Sequence, residues 1–75
     1  MKLKTKGGLD ATLFELDPDD LQDGISGMVY TPGMGDVAKS WNDFGICSNA
    51  SDVLNIDPRQ PAFVAVVDQL RAARP

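Results

Sequence analysis

Histidine is absent from the 75 residues, and cysteine occurs once, at Cys47. The first absence excludes Ser-His-Asp and Cys-His catalysis, imidazole metal ligation and histidine pH switching together. The second excludes an internal disulfide, as suits a reducing cytoplasm. One thiol cannot anchor a four-ligand zinc site. Nothing beside Cys47 in the sequence would activate it, so it reads as a small buried apolar residue. Neither a catalytic residue nor a metal ligand nor a cofactor motif is expected, and the chain reads as a non-enzyme.

Long apolar runs are also missing. The longest, Ala62 to Val67, falls well short of the roughly 20 residues that a membrane span needs. Met1 to Gly7 lacks the apolar segment of a signal peptide. A cytoplasmic setting without a membrane partner is the expectation. A chain this short buries only about 60% of the surface its unfolded form exposes. That implies one domain over 1–75 with one thin core and little material for a deep cleft. A partner or a second copy could supply further stability, so a homo-oligomer stands as an alternative to the monomer.

What is present is acid, unevenly placed. Residues 1–6 carry three lysines, whereas residues 10–23 carry Asp10, Glu15, Asp17, Asp19, Asp20 and Asp23 with no base among them. The net charge of −4 repels phosphate backbones and argues against generic nucleic-acid binding. An acidic patch suits a basic surface on another protein instead. Asp17, Asp19, Asp20 and Asp23 are therefore the candidate partner-binding residues.

Lys2 to Lys6, the Gly7-Gly8 turn and Ala11 to Leu16 read as a hairpin. Asp17-Pro18-Asp19-Asp20 ends the second strand, because proline donates no ladder hydrogen bond and aspartate favours turns. The stretch to Gly24 is a loop, with room for one helical turn after Asp17. Ile25 to Thr31 is a third strand, Pro32 to Asp36 a turn and Val37 to Trp41 a fourth strand. Ile46-Cys47 is a candidate short fifth strand, Ser48 to Ser51 is polar punctuation, and Val53 to Ile56 returns to the core. Pro61 suits a first helical turn, where its missing N–H would be unpaired anyway. Phe63, Val66, Val67, Leu70 and Ala73 then share one helical face, predicting a helix over 61–73. The valines leave a strand over 62–67 as the alternative.

This order of residues resembles a group of short prophage-encoded β proteins. The pieces are Lys4-Thr5-Lys6-Gly7-Gly8, Ala11 to Leu16, Gly27 to Tyr30, Trp41-Asn42-Asp43-Phe44-Gly45 and Ser51-Asp52-Val53-Leu54. The likeness covers about residues 1–56; the acidic loop and the C-terminal helix depart from it. It implies a phage or mobile-element origin in a bacterial host and carries over no activity at any residue.

Three motif matches dissolve on their chemistry. Asp19 to Gly24 begins like an EF-hand loop, but Leu21 stands at position three and Tyr30 where the bidentate glutamate belongs. Gly33-Met34-Gly35-Asp36-Val37-Ala38 has the letters of a dinucleotide fingerprint without the parallel sheet that gives it meaning. The paired aspartates of the loop lack an environment that would desolvate one of them for acid–base work. Trp41 and Tyr30 read first as core or cross-strand residues; with Arg59 they are the candidate ligand-stacking set.

The fold class expected is α+β: a small antiparallel sheet of four to five strands, open or closed into a barrel, with one C-terminal helix. Residues 1–56 are mainly β. The expected core comprises Leu13 or Phe14, Leu16, Met28, Val29, Tyr30, Val37, Trp41, Ile46, Leu54, Ile56, Phe63, Val67 and Leu70. The expected function is that of a phage accessory protein that binds and modulates a host protein with a basic surface, an anti-defence inhibitor in its concrete version. A nucleotide-sequestering protein that uses Trp41, Tyr30 and Arg59 across a dimer, or a virion or assembly component, are the alternatives.

Overall fold

A computed structural model of the chain describes residues 2–47 and 52–74. The polar punctuation expected at 48–51 lies outside the described residues. Four strands run β1 (Lys2–Lys4), β2 (Asp10–Leu16), β3 (Ile25–Thr31) and β4 (Gly35–Trp41). They form one antiparallel sheet in the order of the chain. A 3₁₀ turn at Asp52–Leu54 leads to α1, Pro61–Ala73. The expected α+β class therefore stands, and residues 62–67 are helix, not strand.

Alternation along the strands decides which side chains meet the helix. Leu3, Ala11, Leu13, Ile25, Val29 and Trp41 point to one face and are buried there. The helix answers with Phe63, Val66, Val67 and Leu70, and Ile56 and Cys47 complete the cluster. Burying a large apolar side chain contributes about 1.5–3 kcal/mol, so a dozen such residues suffice for a thin core. No helix of the described residues lies over the other face.

Four expected core residues lie outside the core cluster: Met28, Tyr30, Ile46 and Val37, the last half-buried on the edge strand β4. Tyr30 lies one step from Val29, hence on the uncovered face, and is exposed; Met28 shares that face and is half-buried. Ile46 sits in the loop after β4 and is also exposed. Leu3, Ala11 and Ile25 enter the core instead.

The sheet is open, and there is neither a fifth strand nor a barrel among the described residues. Cys47 makes only an isolated bridge with Trp41. The physical reason lies at the edge of β1, which is already occupied. The Gln60 side chain accepts from Lys4 N at 3.1 Å and donates to Lys4 O at 2.9 Å. Further along, Lys6 N–H donates to Asn55 C=O and Gly7 N–H to Val53 C=O. With Lys4 and the two residues beyond β1 bonded to the segment before α1, that part of the edge is occupied and closed to β4.

Candidate functional site

The loop between β2 and β3 is built by its own aspartates. The Asp17 carboxylate accepts from Asp19 N–H at 3.0 Å. Asp20 Oδ1 accepts from the N–H groups of Gln22 and Asp23, each at 2.9 Å. These local side-chain bonds are what aspartate does in turns. The hydrogen bond from Asp23 N–H, then that from Gln22 N–H, holds the Asp20 carboxyl below its ordinary range. The helical turn expected after Asp17 reduces to one hydrogen-bonded turn, Asp20 N–H to Asp17 C=O.

Arg74, just past the end of α1, fastens this loop to the next. Its guanidinium donates to Pro18 C=O at 3.2 Å and to Asp20 C=O at 3.5 Å. It also makes a two-pronged pair with Asp43, at 2.5 and 3.0 Å. Arg71 Nε lies 3.7 Å from the same carboxylate. The Arg74 hydrogen bond is the main reason that the Asp43 carboxyl titrates below its ordinary range, against the opposing effect of desolvation. Leu21 and Phe44, next to residues that Arg74 holds, are both exposed.

The uncovered sheet face carries a trough of about 390 Å³ near the same loop. A β-bulge shapes it: Leu13 pairs with Gly27 and Glu15 with Ser26, leaving Phe14 as the extra residue. Phe14 is 63% exposed. Ser26 and Ser40, paired across β3 and β4, bring their hydroxyls to 3.2 Å. Asp23 also lines the trough, and its Oδ1 is shielded from solvent without a hydrogen-bond partner.

The candidate residues thus fall into two groups. Asp17, Asp19, Asp20 and Asp23 come together on one braced loop. Trp41, Tyr30 and Arg59 do not come together within one chain. Trp41 is fully buried, with its indole N–H on Leu54 C=O at 2.8 Å. Tyr30 lies on the opposite face of the sheet, and Arg59 pairs with Asp57. Sequence reasoning missed Arg74, Asp43, Phe14 and the Ser26–Ser40 pair. Arg74 meets its partners 31 to 56 positions away, and no local pattern announces such contacts.

Among the described residues no cluster of three or more Cys, Asp or Glu is placed to hold a metal ion. No helix among them is long and apolar enough to cross a membrane. No protein-family model, curated protein or solved structure matches the chain.

Proposed function

We propose that this protein works by binding, without catalysis, and that its braced acidic loop engages a basic surface of another protein. The observation that carries this is the distribution of unpaired charge. Among the described residues, Lys4, Lys6, Arg59, Arg71 and Arg74 all stand in ion pairs, with Asp10, Asp52, Asp57 and Asp43. Of eleven acids and seven bases, seven acids and two bases remain outside such pairs among the described residues. Five of those acids, Glu15, Asp17, Asp19, Asp20 and Asp23, are consecutive acids of the β2 end and its loop. The negative field of the molecule is therefore concentrated there, where it would steer a cationic partner. Arg74 fixes the loop in advance, which lowers the ordering cost of association. The exposed Leu21 and Phe44 offer apolar contact inside an acidic rim, the usual anatomy of an interface.

The biological setting that fits is a phage or mobile-element accessory protein acting on a host protein that handles nucleic acid, since such targets present basic surfaces. An anti-defence inhibitor is the specific form. Capture from bacterial lysate at low salt should recover a defined partner that is released at high salt. Changing Asp19, Asp20 and Asp23 together to asparagine should abolish capture. Changing Asp36 and Asp68, unpaired acids elsewhere, should leave it intact. Undiminished binding by the triple variant would overturn the proposal.

A further inference from the structure

We propose that the trough on the uncovered sheet face receives one arginine side chain of the partner, its guanidinium meeting Asp23 and its plane lying on the Phe14 ring. The inference rests on the acidic-loop reading above and adds which side chain is gripped, and where.

Two of the loop's other carboxylates differ from Asp23 in what they already hold. Asp17 and Asp20 accept main-chain N–H groups of their own loop. Asp23 Oδ1 accepts nothing, although it is shielded from water. The other oxygen of this half-buried carboxylate is neither shielded nor hydrogen-bonded, so an incoming donor reaches Asp23 there and meets a charge that the loop's own N–H groups do not share. Around it stand groups that suit a guanidinium. The Ser26 and Ser40 hydroxyls share one hydrogen bond between them, which leaves lone pairs for further N–H donors. Phe14 presents an exposed ring, one step along β2 from the buried Leu13. A guanidinium is planar, carries five donors and stacks on aromatic faces; an ammonium has the charge without the plane.

The trough does not suit an anion. Arg59, Arg71 and Arg74 are all committed to aspartates elsewhere. Lys39 borders the trough, but it pairs with Gly27, so alternation assigns its side chain to the face opposite Ser40 and Ala38. Glu15, beside Phe14 on the bulge, adds negative charge instead.

The test is a titration of the full-length ¹⁵N-labelled protein with acetyl-Gly-Arg-Gly-amide, followed by amide shifts. Lysine and citrulline versions of the same tripeptide serve as comparisons. The arginine peptide should give saturable shifts centred on Phe14, Asp23, Ser26 and Ser40. The citrulline peptide, uncharged but of the same shape, should bind at least about tenfold more weakly. Asp23→Asn and Phe14→Ser should each weaken the arginine peptide about tenfold, while Asp68→Asn, on the helix away from loop and trough, stays within about twofold. Asp23 Oδ1 holds no partner in the fold and Phe14 is largely exposed, so both variants should fold. Equal affinity for citrulline or lysine, an unaffected Asp23→Asn variant, or shifts confined to residues 19–22 would each overturn the assignment. If the peptide fails while salt-sensitive capture of a protein still depends on Asp19 and Asp20, the trough falls and the acidic-loop reading survives. Loss of that capture, with arginine binding retained, would instead remove the loop reading and leave the trough in place.

Discussion

Arg74 donates to both oxygens of Asp43 and to the main-chain carbonyls of Pro18 and Asp20. Both partners of the ion pair are largely shielded, with side chains 18% and 14% exposed. Charge-assisted, two-pronged bonds of this kind are stronger than neutral ones, and this one ties two loops to the end of a helix. Its titration has a definite sign. The Arg74 hydrogen bond lowers the Asp43 carboxyl from its ordinary 3.8. Asp20 is lowered by the N–H of Asp23, and Asp57 by the N–H of Arg59. A carboxyl lowered on folding contributes stability that is fully present above its unfolded value. That stability drains away as pH falls from there through the lower folded value. Acidification below the ordinary aspartate range should therefore reduce Tm. In Arg74→Gln, Tm should be lower at neutral pH and should fall less on further acidification, because Asp43 has lost the partner that lowered it. Calorimetry across that pH range decides the point: identical acid dependence in both proteins would remove Asp43 from the linkage.

At the scale of elements, β2 and β3 are held by a register that passes through the bulge at Phe14, and Gly27 sits opposite Leu13 just before it. A side chain at Gly27 would overlap the Thr12 carbonyl oxygen and crowd the Leu13 main chain. The strands approach so closely there that only glycine fits. Gly27→Ala should destabilise the protein by about 1–3 kcal/mol, the usual cost of forcing an extra methyl into packed structure. A lower denaturant midpoint would register it; an unchanged one would show that the strands can separate cheaply at that point. Which elements form was largely legible from local signals. The β1–β2 hairpin, β3, β4 and the helix after Pro61 all stand near their expected bounds. Their edges were not legible. Gln60, beside Pro61, carries no local sign of its role, yet its side chain serves as the neighbour that β1 lacks. The bulge was equally silent in sequence, so the direction of Phe14 stayed open until the pairing partner of each residue was known.

For the whole molecule, the clustered acids and the dispersed ion pairs oppose one another. Lys4–Asp10, Lys6–Asp52 and Arg59–Asp57 are exposed, and exposed pairs contribute little. The five unpaired acids from Glu15 to Asp23 repel one another at short range. Salt at about 0.1 M, with a Debye length of about 10 Å, should screen more repulsion than attraction. Tm should rise as salt is added from low ionic strength, and a fall would mean that the ion pairs outweigh the acidic loop.

Composition alone set chemical limits on this protein: without histidine and with one thiol, it lacks the side chains for histidine-based nucleophile–base pairs and for a zinc site of Cys and His. Periodicity and turn residues marked four strands and favoured a helix after Pro61, because apolar side chains recur there at spacings that those conformations bring to one face. The tertiary structure decided which sheet face the helix covers, that the sheet stays open, and that Arg74 braces the acidic loop. It also left one shielded oxygen of Asp23 without a donor, on a trough that the exposed Phe14 borders. Those outcomes depend on contacts between residues far apart in the chain, and a contact of that kind leaves no mark on the local order of residues.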